Sequence, residues 1–285
     1  MVTVDAVVDG VHFGPRFTPE EIGWKSLAVN LSDLAAMGAR PLWALVALAT
    51  PRRAAPARLV RVGRGIAACA RRHGIAVVGG NVTAAPVLSV TVTVLGSVRP
   101  GRALLRSGGR PGDLLVVSGT VGDAALGLEA GAGAGPRARQ RRPRPRLALG
   151  RAAVGIATAA IDLSDGLVQD LGHLCAASGL GARVDAERLP LSAAYREASR
   201  GSQTPLEGAL SGGEDYELLL AVPPSRLEAI RRAARAARTR VTVVGALEAR
   251  RGIRVFRGGI PLRTRREGHD HLRGGHLLGR GPRRA

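Results

Sequence analysis

The stretch from Ala160 to Asp170, AIDLSDGLVQD, constrains the fold more than any other, because its hydrophobic pattern changes period half-way. The AAI run suits a strand and ends at Asp162, whereas Leu167, Val168, Leu171, Leu174 and Cys175 recur at helical spacing until Gly179. Ser164 stands where a helix N-cap belongs, so Asp162 and Asp165 fall at a strand-to-helix junction. Such a junction offers helix amides to an anion, and two carboxylates beside it can hold a hard cation bridging to that anion. Capping of the helix is the competing role for either aspartate. The concentration of acid is itself unusual in a chain whose formal charge is +20.

That charge raises the question of a polyanion partner. Aromatic residues make up 2% of the chain, leaving almost nothing for base stacking, and no zinc-finger or RNA-binding signature is present, so a specific nucleic-acid role is disfavoured. Lys25 is the only lysine among the basic residues, which marks an arginine-rich compositional bias. No membrane-length apolar run and no secretory leader are evident, so a cytoplasmic enzyme is expected. Cys69 and Cys175 lie on apolar helical faces and read as buried, inert thiols.

Along the chain, VTVDAVV reads as a strand interrupted by Asp5, a carboxylate that is costly there unless paired or metal-bound. Asp9 serves the following turn, and His12 beyond it reads as structural or catalytic. Thr18-Pro-Glu-Glu21 is a capping box that starts a helix running to Gly38, with Asn30 and Asp33 on one side of it. LWALVALA predicts a buried strand, residues 56–73 a helix stopped by Gly74, and IAVVGGN a strand ending in a tight turn whose glycines admit a ligand. A seam at 99–111 opens a second half. DLLVVSG is a strand and VGDAALGLEAG a short helix; the arginine-rich segment 130–146 predicts a solvated loop. In SGGEDYELLL, Glu214 and Asp215 read as turn acids and Glu217 as the exposed face of a strand.

The order of these pieces is more specific than any one of them. DAVVDGVHF, WKSLAVNLSDLAAMGARP, GGNVT, RSGGRPGDLLVVSGTVGDAALGL, PRPRLALGRA, AIDLSDGL, SGGEDYELL and GHDHL together resemble the thiamine-monophosphate kinases of the AIR synthetase-like superfamily, over roughly residues 1–272. The resemblance implies a two-domain α/β (α+β) fold, each domain a mixed sheet backed by helices: 1–100 an ATP- and Mg-binding domain, 101–272 a second domain, 273–285 a basic disordered tail. It implies direct transfer of the ATP γ-phosphoryl group to thiamine phosphate by a homodimer, assisted by several Mg²⁺ ions.

Carried over by motif, Thr3, Asp5, Asp33, Asp162 and Asp165 would ligate Mg²⁺, Ser164, Gly80 and Arg106 would contact ATP, and His12 and Glu214 would contact thiamine phosphate. Asn81 would serve both metal and ATP. It stands where the family usually has an aspartate, so it offers the cation only a neutral oxygen. A GDDAA-type segment that usually precedes the first strand is missing, and GHDHL lacks the usual aromatic residues. The competing expectations are a homologue that binds nucleotide or polyanion without turnover, and a related enzyme using ATP on another acceptor.

Overall fold

In the computed structural model, which describes residues 1–262 other than 130 and 203, the chain opens with strand β1 (Val2–Val8) and helix α1 (Pro19–Ala36). The capping box forms: Thr18 Oγ1 accepts from the Glu21 amide at 3.2 Å, and Glu21 Oε2 accepts from the Thr18 amide at 2.8 Å. Leu27, Leu31 and Leu34 on α1 are buried, each contributing about 1.5–3 kcal/mol. Strand β2 (Arg40–Thr50), helix α2 (Pro56–His73), strand β3 (Ala76–Ala84) and strand β4 (Ser89–Ser97) follow. α2 ends where expected, at a left-handed Gly74.

These strands form a sheet of order β1-β4-β2-β3, antiparallel except for the β2/β3 pair that α2 bridges. Two expectations need correcting. β2 is not a buried strand: α1 and α2 lie on one side of the sheet, and on the other the rows Val2–Leu95–Trp43 and Val4–Thr93–Leu45 cross three strands, with Val2 66% and Val4 63% exposed. Nor does GGN make a tight turn, since both glycines continue β3. A Cβ on Gly80 would lie 1.9 Å from the Val46 carbonyl oxygen, so the close neighbour that excludes a side chain is strand β2.

The second half comprises β5 (Leu114–Ser118), α3 (Asp123–Leu128), α4 (Ala134–Arg141), α5 (Leu147–Ala153), β6 (Ala159–Asp162), α6 (Leu167–Ser178), β7 (Gly181–Asp185), α7 (Ala193–Ala198), α8 (Glu207–Ser211), β8 (Leu218–Val222), α9 (Leu227–Ala236), β9 (Val241–Glu248), β10 (Gly252–Arg257) and β11 (Ile260–Leu262). The strands form a mixed sheet of order β11-β10-β7-β9-β5-β8-β6. Alternation divides its core: Leu115, Val117, Leu219 and Ile161 pack with α6, while Val116, Leu218 and Leu220 join the core built on α1. α1 thus packs against both halves, touching α5 and β6. At Gly150 of α5 an added Cβ would meet the Ala35 carbonyl oxygen at 1.9 Å.

Three further expectations change here. Residues 134–141 are helical rather than a solvated loop, because Arg139 and Arg146 pair with the carboxylate of Glu217 and Pro143 accepts from Trp24 Nε1 at 3.0 Å. Glu217 is accordingly fully buried, on a chain segment that leads into an interior strand. Ser164 does not cap α6: the N-cap is Gly166, and the Asp170 carboxylate accepts from the amides of Asp165 and Gly166 at 3.0 and 3.1 Å. Cys69 and Cys175 are buried free thiols, pushed by burial up to about 12 and about 11. The GHDHL motif and the basic tail lie outside the described residues.

Candidate active site

Helix α1 carries the centre of the site at two consecutive residues. Ser32 Oγ donates to Asp162 Oδ2 at 2.6 Å, reaching from the first sheet's helix to the end of β6. Asp33 accepts from the hydroxyl of Thr3 on β1. Burial raises the pKa of Asp33, against the lowering effects of Thr3 and the Arg106 charge. Asp162, 4% exposed, is pushed up to about 8, first by burial and then by the charge of Asp33. A half-buried and a buried carboxylate, the charge of one raising the proton affinity of the other and each with a hydroxyl beside it, are a hard-oxygen donor set, and a divalent cation between them would relieve both burdens. The residues present therefore fit such an ion.

Around this pair the chain gathers more acid. Tyr216 is buried, and its hydroxyl is held well above its ordinary pKa by burial and by the charges of Glu214, Asp5, Asp162 and Asp165. Asp5 also accepts from the Ala6 amide at 2.8 Å. Ligand atoms of Asp165, Asp170 and His173 lie within 4.8 Å of one another, although Asp170 is already engaged by the loop amides.

Gly80 and Asn81 are set apart from these carboxylates. Asp5 pairs with Val92, Val92 with Val46 and Val46 with Gly80, so three strand spacings, about 14 Å, separate the ends of that row. Gly80 and Asn81 instead line an apolar groove of about 520 Å³ between α2 and the β2/β3 pair, with Val46, Leu48, Ile66 and Val82. Its walls are apolar, and Gly80 in it shares a row of the sheet with Asp5.

On the other flank, His12 Nδ1 accepts from the Val8 amide at 3.1 Å, which fixes the ring and leaves the proton of the neutral form on Nε2. Glu214 is 4% exposed; its Oε1 meets Lys25 Nζ at 2.5 Å and its Oε2 accepts from Gln140 Nε2 at 3.3 Å. Glu214 and Tyr216 both have positive φ, 69° and 49°, a conformation costing non-glycine residues about 1–3 kcal/mol. Their amides hold the loop there, Glu214 donating to the Ser164 carbonyl at 2.7 Å and Tyr216 to the Leu163 carbonyl at 2.8 Å. Asp215 turns away, accepting from the Gly122 and Ala124 amides, and burial pushes it up to about 8.

Comparison with known proteins agrees with this two-sheet arrangement. Residues 1–98 match the AIR synthase related protein, N-terminal domain, and residues 110–258 its C-terminal domain. Thiamine-monophosphate kinase of Salmonella typhimurium is 41% identical over 282 residues, covering 95% of this chain and 86% of that one. The chain belongs to this kinase family. Among solved structures, thiamine-monophosphate kinase from Stenotrophomonas maltophilia superposes with a TM-score of 0.85 at 41% identity, over 92% of this chain and 86% of that one. AaThiL complexed with AMPPCP and TMP superposes with a TM-score of 0.84 at 32% identity, over 95% and 86%.

Family motifs lead to Thr3 and Asp33, which are hydrogen-bonded, to Asp162, which the charge of Asp33 reaches, and to Asp5 and Asp165, whose charges act on Tyr216. Arg106 is exposed but close enough for its charge to act on Asp33. Ser164 contributes its backbone carbonyl to the Glu214 loop. The sequence reading gave no role in the site to Ser32, Lys25, Gln140 or Tyr216. Lys25 carried one signal, being the sole lysine in an arginine-biased chain.

Proposed function

We propose that this chain transfers the γ-phosphoryl group of ATP to thiamine phosphate, giving thiamine diphosphate and ADP. The observation that carries the reading is the meeting of Asp33 and Asp162 across the seam between the two sheets, with the Thr3 hydroxyl on one and the Ser32 hydroxyl on the other. Donor and acceptor are both polyanions, and a reaction between them needs concentrated positive charge and in-line positioning. Mg²⁺ held by Thr3, Asp5, Asp33, Asp162 and Asp165 would neutralise developing charge on the phosphates. The chain's own part is to hold those oxygens, to offer ATP the groove at Gly80 and Asn81 together with Arg106 and Ser164, and to receive thiamine phosphate at His12 and Glu214. The family's kinases, and the relative complexed with AMPPCP and TMP, support this choice of substrates.

The same reading includes a homodimer. The two exposed rows that begin at Val2 and Val4 give the first sheet an apolar face that a second copy would cover. It also includes a domain boundary near residue 100, where β4 gives way to the Pro- and Gly-rich link before β5, and a cytoplasmic location. No helix among the described residues is long and apolar enough to cross a membrane. The test is to incubate the protein with MgATP and thiamine phosphate and follow thiamine diphosphate and ADP by chromatography. Equimolar appearance of both supports the reading; ADP without thiamine diphosphate, or neither, overturns it.

A further inference from the structure

Lys25 is fully buried on α1, and its ammonium joins two segments that the proposed function puts on the acceptor side. Nζ lies 2.5 Å from Glu214 Oε1 and donates to the His12 carbonyl oxygen at 3.0 Å. It also sits over the Phe17 ring, 5.4 Å from the centroid. Among the described residues Glu214 Oε1 makes no hydrogen bond beyond this ion pair, so the lysine alone compensates that oxygen. The other oxygen is held by Gln140, whose helix α4 is tied through Arg139 to Glu217.

We infer that Lys25 is the positioning residue for the acceptor site: by binding the His12 backbone and the Glu214 carboxylate at once, it sets the spacing of the two groups that receive thiamine phosphate. This rests on the proposed function and deepens it. A buried ammonium with no acid partner would not persist, and a buried carboxylate without its cation would take up a proton or turn out of the seam. Either change alters the face offered to the acceptor, while the Asp33–Asp162 pair and the groove at Gly80 are left as they are. Arginine cannot substitute, because a planar guanidinium is larger than the ammonium and directs its donors in a fixed fork.

The test compares the wild type with Lys25→Met, Lys25→Arg and the double variant Lys25→Met/Glu214→Gln, by steady-state kinetics in each substrate and by thermal denaturation. In Lys25→Met and Lys25→Arg, KM for thiamine phosphate should rise about tenfold or more, with kcat and the KM for ATP within about threefold. The double variant removes the orphaned charge, so it should recover the lost thermal stability, which shows that the stability loss in Lys25→Met comes from the stranded carboxylate. The rise confined to the KM for thiamine phosphate in the single variants separates positioning from a merely structural role, which would lower stability and move both KM values alike. An unchanged KM for thiamine phosphate in Lys25→Met, or equal rises for both substrates, overturns the inference. Wild-type protein that does not phosphorylate thiamine phosphate overturns the proposed function itself, and this inference with it.

Discussion

Two groups of acids, one reached from α1 by Lys25 and the other by Ser32 and Asp33 themselves, are handled in opposite ways. In the SGGEDYE loop each carboxylate has its own compensation: Glu214 has Lys25, Glu217 has Arg139, Arg146 and the Ser118 hydroxyl at 2.5 Å, and Asp215 has two amides of the turn into α3. At the seam, Asp33 and Asp162 have hydroxyl partners, burial raises the proton affinity of both and the charge of Asp33 raises that of Asp162 further, while the exposed Arg106 acts on Asp33 only from a distance. Where the protein supplies a cation or amides, the acid organises the fold or positions a group. Where it supplies only hydroxyls, as at Asp33 and Asp162, the proposed function has the cation come from solution.

The comparison breaks most visibly by neutralising each group. Asp33→Asn and Asp162→Asn should each lower turnover about 10³-fold, about 4 kcal/mol of transition-state stabilisation, with thermal stability unchanged or improved because an unfavourable charge is gone. Glu217→Gln should do the reverse, costing about 3 kcal/mol of stability by stranding two arginines while leaving the KM values of the folded fraction alone. Denaturant midpoints and initial rates on the same preparations decide both. Seam variants that unfold, or a Glu217→Gln that stays as stable as the parent, would erase the distinction.

A smaller effect appears in pH. An acid whose pKa is raised in the folded state binds more protons folded than unfolded between about pH 4 and its folded value, so stability falls as pH rises through that window. Asp162 and Asp215, both pushed up to about 8, contribute this slope in metal-free protein. Mg²⁺ should flatten the part due to Asp162 and leave the part due to Asp215. Cation binding should correspondingly tighten from pH 6 to 8 by up to about tenfold per unit and then level off. Melting temperatures against pH, with and without Mg²⁺, measure this; identical slopes would mean that Asp162 is not a cation ligand.

The smallest effect belongs to the entrance of α1. Thr18→Ala should cost about 1 kcal/mol of stability, with turnover per folded molecule unchanged. Chemical denaturation beside a rate measurement checks it.

Local signals carried much of the fold into the sequence. The capping box and Gly74 delimit α1 and α2 because cap chemistry depends on residues a few positions apart. Segment 134–146 was misleading for the opposite reason: the partner of Arg139 and Arg146 is Glu217, more than seventy residues away, so a neutralised charge run reads as a solvated one. The glycines of β3 misled similarly, since the neighbour that Gly80 accommodates is a paired strand rather than a turn. In the site, Thr3, Asp33 and Asp162 stand in recognisable motifs. The Lys25–Glu214 pair joins two halves of the chain, and pairing at that range leaves no trace beyond an odd lysine.

Direct cation binding tests the central claim most closely. Mn²⁺, an EPR-visible substitute for Mg²⁺, should be titrated in the presence of a non-hydrolysable ATP analogue into the wild type and the Asp33→Asn/Asp162→Asn double variant. The account predicts that the double variant loses at least one bound ion per chain while keeping the wild-type fold. Equal stoichiometry and affinity in the two proteins would contradict it.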